Sequence, residues 1–164
     1  MTDPRISTVV RLHDDARVHH FAHMQLDVQV LVSTDETGGA QSVTEFAFRA
    51  PFAGPPLHWH RSYAETFVCL EGQFTLVLED TEREMRSGDV AYVPPRTVHT
   101  YRVATDTSTR YLLICSPGGN FESYVADAAA HAAEAFARGE PLDERLMQDI
   151  RGRHQTYEAS VPRF

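Results

Sequence analysis

The chain contains no lysine: all fifteen basic residues among its 164 are arginine. Chemistry that runs through a protein Schiff base needs a lysine amine and is excluded. A phosphate-cradling loop that ends in lysine is excluded with it. Positive charge is scarce as well, since 23 acidic residues set the formal net charge at −8. That balance argues against a nucleic-acid partner, because neutralising phosphates takes a basic face, and against an anionic membrane surface. No apolar run approaches the roughly 20 residues of a membrane-spanning helix. Residues 1–10 lack the basic-then-apolar pattern of a secretory leader, so the expected location is the cytoplasm. Cysteine is limited to Cys69 and Cys115, each inside an apolar run. They read as small buried hydrophobes rather than as a disulfide framework.

What the chain does have is an ordinary globular composition, with 42% hydrophobic and 23% charged residues. Its length suits one domain over residues 1–164, which buries roughly 70% of its unfolded-chain surface. The first 27 residues show no regular pattern. Short strand-type segments follow. Residues 27–33 carry Val28, Val30 and Val32 in alternation; in residues 42–49, Thr44, Phe46 and Phe48 fall on one face and Glu45, Ala47 and Arg49 on the other. A turn at 35–39 separates these two segments, and a Pro/Gly break at 51–56 follows the second. Further strand-type runs lie at 57–60, 65–70, 73–79, 89–93, 99–103 and 111–115. Regular short strands with Gly/Pro punctuation predict an all-β sandwich or barrel over about residues 28–116.

After Ser116-Pro117-Gly118-Gly119 the pattern turns helical, over about 120–152. A first helix is expected over Phe121–Arg138, with Asn120 as N-cap and Gly139 as stop. Its stripe of Phe121, Val125, Ala128, Ala132 and Phe136 would pack on the outside of the barrel. A second, shorter helix is expected over 143–151. Residues 154–164 have no clear period.

Nine histidines are many for this length. In Pro55-Pro56-Leu57-His58-Trp59-His60, residues i and i+2 of a strand share a face, so His58 and His60 project inward and Trp59 outward. A hairpin can return Glu65 beside them, and His99 heads a later strand after Pro94-Pro95. Three imidazoles and a carboxylate suit one divalent transition metal ion: Fe, Mn, Ni, Co or Zn. A lone His-X-His would be weak evidence; the spacing and its glycines carry the reading. His19, His20 and His23 form a second cluster, with His19 and His23 on one face of a helix, and read as a solvated segment or subunit contact. His13, His131 and His154 read as surface residues.

The run His58-X-His60-X4-Glu65-X6-Gly72 resembles the first motif of the cupin superfamily. Only three residues separate Gly54 from His58, where the family has five. Gly88, Pro94 and His99 match the second motif, while Arg96 stands in place of the usual glycine and Val103 in place of the usual asparagine. Leu70-Glu71-Gly72 and Gly88-Asp89 resemble the family's turns. The resemblance implies a single cupin domain, a double-stranded β-helix or jelly-roll barrel with C-terminal helices, with His58, His60, Glu65 and His99 as metal ligands. Thr37-Gly38-Gly39-Ala40, Gly54-Pro55-Pro56-Leu57-His58 and Ser116-Pro117-Gly118-Gly119-Asn120-Phe121-Glu122 are similar to bacterial single-domain quercetinase-like (quercetin 2,3-dioxygenase-type) cupins. Cupin-type polyketide cyclases look alike too.

Such likenesses imply a metal-dependent dioxygenase acting on a flavonol-like or other enolisable aromatic substrate. A redox-neutral polyketide cyclase or isomerase is the second reading, and a non-catalytic small-molecule binder the third. They also imply a homodimer, to which residues 6–10 could add a strand. Glu65 is the candidate catalytic base as well as a ligand. Phe46, Phe48, Phe67, Cys69, Tyr92 and Tyr101 are the candidate substrate-facing residues. Arg96 is either solvated in a turn rebuilt around Pro94-Pro95 or placed over the pocket mouth, reading an anionic or phenolate group.

Overall fold

The computed structural model describes residues 8–12, 15–79, 81–104 and 108–159. The strands are β1 (Arg17–Phe21), β2 (Leu26–Val32), β3 (Ser42–Phe48), β4 (His58–His60), β5 (Ala64–Glu71), β6 (Gln73–Leu78), β7 (Thr81–Arg86), β8 (Val90–Val93), β9 (His99–Arg102), β10 (Thr109–Ser116) and β11 (Thr156–Glu158). Two helices follow β10: α1 (Phe121–Arg138) and α2 (Glu144–Arg153). One sheet has six strands in the order β1-β2-β3-β10-β5-β8, and the other has five in the order β11-β4-β9-β6-β7. The expected barrel is thus two antiparallel sheets that face each other without closing into a ring.

Alternation places the core. Across β3, β10 and β5 the register pairs Phe46 with Tyr111, Tyr111 with Cys69, Leu113 with Phe67 and Cys115 with Glu65. These positions face the inside, so aromatic and thiol side chains fill it and Glu65 enters it as a charged group. Both cysteines are buried free thiols, as expected. Phe46 and Tyr111 stack with ring centroids 5.0 Å apart.

Three strands were invisible to pattern reading. In Thr81–Arg86 only Met85 is buried. This edge strand carries charges on both faces, which discourages pairing with another chain and also erases the apolar alternation. β1 puts His19 and His20 on a strand, followed by a short 3-10 turn at Ala22–Met24 that holds His23. The proposed helical face for His19 and His23 does not exist; His20 Nδ1 instead donates to Asp27 Oδ1 at 2.7 Å. β11 forms only because β4 offers it an edge, pairing Thr156 with His60.

The helices keep their predicted bounds within a few residues, with three corrections. Asn120 sits at the N-cap in left-handed conformation and makes no side-chain cap bond. Phe136 is 61% exposed, and Ala129, His131 and Ala135 join the buried face instead. His131 is therefore no surface residue: its Nε2 accepts from the Asp143 N–H at 3.1 Å, tying α1 to the start of α2. His154 is largely covered as well and donates to Asp127 at 3.0 Å. His13 lies outside the described residues.

Helix α1 is launched from a specific junction. Glu122 accepts from Thr34 N–H at 2.8 Å and Thr34 Oγ1 at 3.0 Å, the Asn120 N–H donates to Thr34 Oγ1, and the Gly118 N–H donates to Gly39 O at 3.0 Å. A Cβ at Gly118 would lie 2.5 Å from Thr34 Oγ1. Residues 34–40 and 116–122 thus meet in space, which explains why both segments carry paired glycines.

Candidate metal centre

His58 and His60 stand on β4, His99 faces His58 across β9, and Glu65 reaches in from β5 of the opposite sheet. One ligand atom from each residue can be chosen so that all four lie within 4.8 Å of one another, and all four residues are buried. His99 Nε2 donates to Glu65 Oε2 at 2.9 Å, and His60 Nε2 lies 3.2 Å from Glu65 Oε1. The outer ring nitrogens are held from behind: His58 Nδ1 donates to Pro56 O at 2.7 Å and His99 Nδ1 to Thr97 O at 2.9 Å. Such backing bonds turn the Nε2 atoms toward the common centre, as metal-ligating histidines require.

The electrostatics agree with this design. Burial, aided by the neighbouring His99 and His60, pushes His58 down to about 3, so it is a neutral donor at any ordinary pH. For His99 burial acts downward too, but the hydrogen bond and charge of Glu65 outweigh it and raise its pKa. For Glu65 burial acts upward, and His60 and His99 overcome it, holding the carboxyl well below its usual range. His60 Nε2 is buried and lacks any hydrogen bond of good geometry. An orphaned buried nitrogen facing a carboxylate is costly unless something completes it, and a cation does. The residues present therefore fit a divalent metal ion held by His58, His60, Glu65 and His99. Bound there, such an ion supplies a Lewis acid that lowers the pKa of an oxygen ligand.

Next to the cluster lies a cavity of about 120 Å³. Of the expected substrate-facing residues, Phe46, Phe67 and Tyr101 line it. Phe48 and Cys69 are buried but lie outside the lining, deeper in the core. Tyr92 does not face inward: on β8, Val93 takes the inward position opposite Glu65, and Tyr92 is 65% exposed. Arg96 is exposed beside Trp59, Arg61 and Val98 in a separate outer hollow. Its backbone has a positive φ (67°), and its N–H donates to His60 O at 2.8 Å. Val103, in the usual asparagine position, is a buried core residue that exchanges backbone hydrogen bonds with Phe52.

Pattern reading missed the far wall. Phe121, Tyr124, Val125 and Ala128 of α1 and Met147 and Arg151 of α2 line the cavity, so these helices cap the site rather than decorate the outside. The i, i+3 pair Phe121 and Tyr124 was the available signal. Tyr63, stacked on His60 at 4.3 Å, and Thr156, 3.4 Å from His60 Nδ1, complete the surroundings.

Comparison with known proteins bears on the fold. Residues 49–115 match the Cupin_2 cupin domain family. A quercetin 2,3-dioxygenase of Bacillus subtilis (strain 168) is 46% identical over 46 residues, 28% of this chain and 14% of that protein. An uncharacterised protein of Aquifex aeolicus (strain VF5) is 37% identical over 60 residues, 37% of this chain and 49% of that one. The matches thus span half or less of either curated relative. Among solved structures, the polyketide cyclase RemF from Streptomyces resistomycificus aligns with a TM-score of 0.56 at 20% identity, covering 67% of this chain and 80% of its own. An RmlC-like cupin from Shewanella frigidimarina NCIMB 400 aligns at 0.56 and 19%, covering 70% and 95%. Both likenesses concern the fold. Residues 49–115 thus match a cupin domain, and the chain as a whole has the two-sheet fold of cupins around the four-residue cluster.

Proposed function

We propose that this protein is a metal-dependent enzyme acting on a small enolisable aromatic compound, most readily as a quercetinase-type dioxygenase. One observation carries the reading: a buried His3Glu cluster opens onto a cavity walled by Phe46, Phe67, Tyr101, Phe121 and Tyr124. An apolar pocket with a few convergent polar groups is the default arrangement for binding a small ligand. Aromatic walls suit a flat ring, and the cluster is the natural seat for its acidic oxygen. Phe46, Phe67 and Tyr101 make the ring contacts, and Glu65 takes the proton of the enol or phenol. The 46-residue likeness to a quercetin 2,3-dioxygenase supports the oxidative version.

Size bears on the substrate. Drug-sized ligand pockets run to roughly 300–1,000 Å³, and an apolar cavity of roughly 150 Å³ holds a benzene ring. At about 120 Å³ the cavity falls just short of that single ring as it stands; a substituted ring requires α1 and α2 to yield a little, and a three-ring flavonol much more. The test is oxygen uptake by protein loaded in turn with Fe, Mn, Co, Ni or Zn, over a panel from monocyclic phenols to flavonols. Oxygen consumption with a matching product supports the dioxygenase. Turnover without oxygen replaces it with the cyclase or isomerase reading, and tight binding without turnover leaves a binding protein.

A further inference from the structure

The cap of the cavity contains a charge that the metal cluster does not use. Arg151 of α2 lines the cavity, and its side chain is only 6% exposed. Its NH2 is taken by two carboxylates, Glu144 of its own helix and Glu158 of β11, the latter at 2.5 Å. Its Nε is buried with no hydrogen-bond partner. A buried guanidinium N–H left unpaired is costly. Among the described residues Arg151 borders two spaces, the cavity and an outer hollow shared with Gln148, Gly152, Thr156, Tyr157 and Glu158; Glu158, which holds NH2, lies on the outer one, and the cavity is the side that carries no carboxylate partner of Arg151. The charge of Arg151 also reaches Tyr124 on the same wall, where it opposes the upward push of burial on the phenol.

Resting on the reading of this cavity as the substrate site, we infer that Arg151 is a specificity residue whose Nε–H binds a neutral oxygen acceptor, a ketone carbonyl or its equivalent, on the ring end remote from the metal cluster. The neutrality follows from the charges. One guanidinium faces two glutamates, so the group as a whole is net negative and repels a carboxylate. The buried, unpaired Nε–H still requires an acceptor. The substrate class is then an aromatic compound with an acidic hydroxyl at one end and an uncharged carbonyl at the other, joined by an apolar body.

Zinc-loaded protein, which binds without oxidising, tests this by calorimetry with three probes of similar shape: 4-isopropylphenol, 4-hydroxyacetophenone and 4-hydroxybenzoate. Their 2-naphthol counterparts, substituted at position 6, extend the reach. In the wild-type protein the ketone of at least one series should bind about tenfold or more tighter than its isopropyl analogue, and the carboxylate no tighter than the isopropyl compound. Arg151→Lys keeps a positive charge for Glu144 and Glu158 but deletes the Nε–H. It should abolish the ketone preference while leaving zinc content and isopropylphenol affinity unchanged. Equal affinity for ketone and isopropyl compounds in both series overturns the role of Arg151 and leaves the cavity reading standing. A preference for the carboxylate overturns it also, since the net charge would then be what is read. Binding of none of the probes overturns the cavity reading together with the inference.

Discussion

Glu65 is the residue on which the site turns, because it is the one acid among three imidazoles and comes from the other sheet. Replacing it with glutamine keeps its shape and removes its basic oxygen. Glu65→Gln should retain most of the metal while turnover falls by roughly 10²–10⁴; an unchanged rate would assign the proton to another group. The His99–Glu65 pair also sets the pH dependence. His99 is raised above its ordinary value, so its share of apo-protein stability is complete below about 6.5 and is lost as pH rises through the folded pKa. Glu65 is depressed, so its share is present above about 4.5 and lost as pH falls through its folded value. Metal must displace the His99 proton, so zinc affinity should fall about tenfold per pH unit below the folded His99 pKa. Competition against a chromophoric chelator between pH 6 and 8.5 measures this, and a flat profile would show that no proton is exchanged. His58, already neutral, adds nothing to that slope.

At the scale of elements, the turn between β8 and β9 supports β4 through the Arg96 N–H to His60 O bond. A non-glycine residue at φ 67° costs about 1–2 kcal/mol. Arg96→Gly should therefore leave ligand affinity and metal content unchanged and raise stability by up to about 1 kcal/mol in denaturant titrations. A loss of affinity would return Arg96 to the site. Gly54 is the opposite case. At φ 94° a Cβ would stand 1.9 Å from Tyr101 O, so the glycine displaced from its motif position is required by the close passage of β9. The junction of residues 34–40 with 116–122 acts at this scale too, since it aims α1 across the cavity. Helix α1 was legible as a helix from its 3.6-residue period. What it covers was not, because periodicity reports which face is apolar and not what that face meets.

For the whole molecule, a metal ion held by the four residues would join the two sheets, and an ion that binds only the folded state stabilises it. The His58→Ala/His60→Ala variant should lose metal and the associated thermal stability together; full occupancy in that variant would end the assignment. Assembly is the other property at this scale. The outer face of the six-stranded sheet leaves Val90 and Tyr92 exposed on its edge strand β8, with Val68 and Thr66 beside them in register. We expect a homodimer through this face, with a light-scattering mass twice 18.5 kDa; a mass of 18.5 kDa at micromolar protein would exclude a stable one. The alternative contact, strand addition by residues 6–10, falls partly outside the described residues, and Thr8–Val10 carry no strand. Among the described residues no helix is long and apolar enough to cross a membrane.

The candidate ligands and the strands that carry them could be read from the chain because both depend on local periodicity: His58 and His60 share a face by the two-residue repeat, and Glu65 and His99 stand at the beginnings of strands of their own. Charge and composition excluded whole classes of chemistry for the same reason, needing no contact to be known. Three things required the folded molecule. Tyr92 and Phe136 follow the apolar pattern yet lie exposed, since alternation cannot say how far the covering layer extends. Strands β7 and β11 have too little apolar signal to show themselves and exist through their partners. Arg151 stands 52 residues beyond His99 in sequence, and only the packing of α2 beside β11 and β4 brings its side chain to the cavity that His58, His60 and Glu65 line.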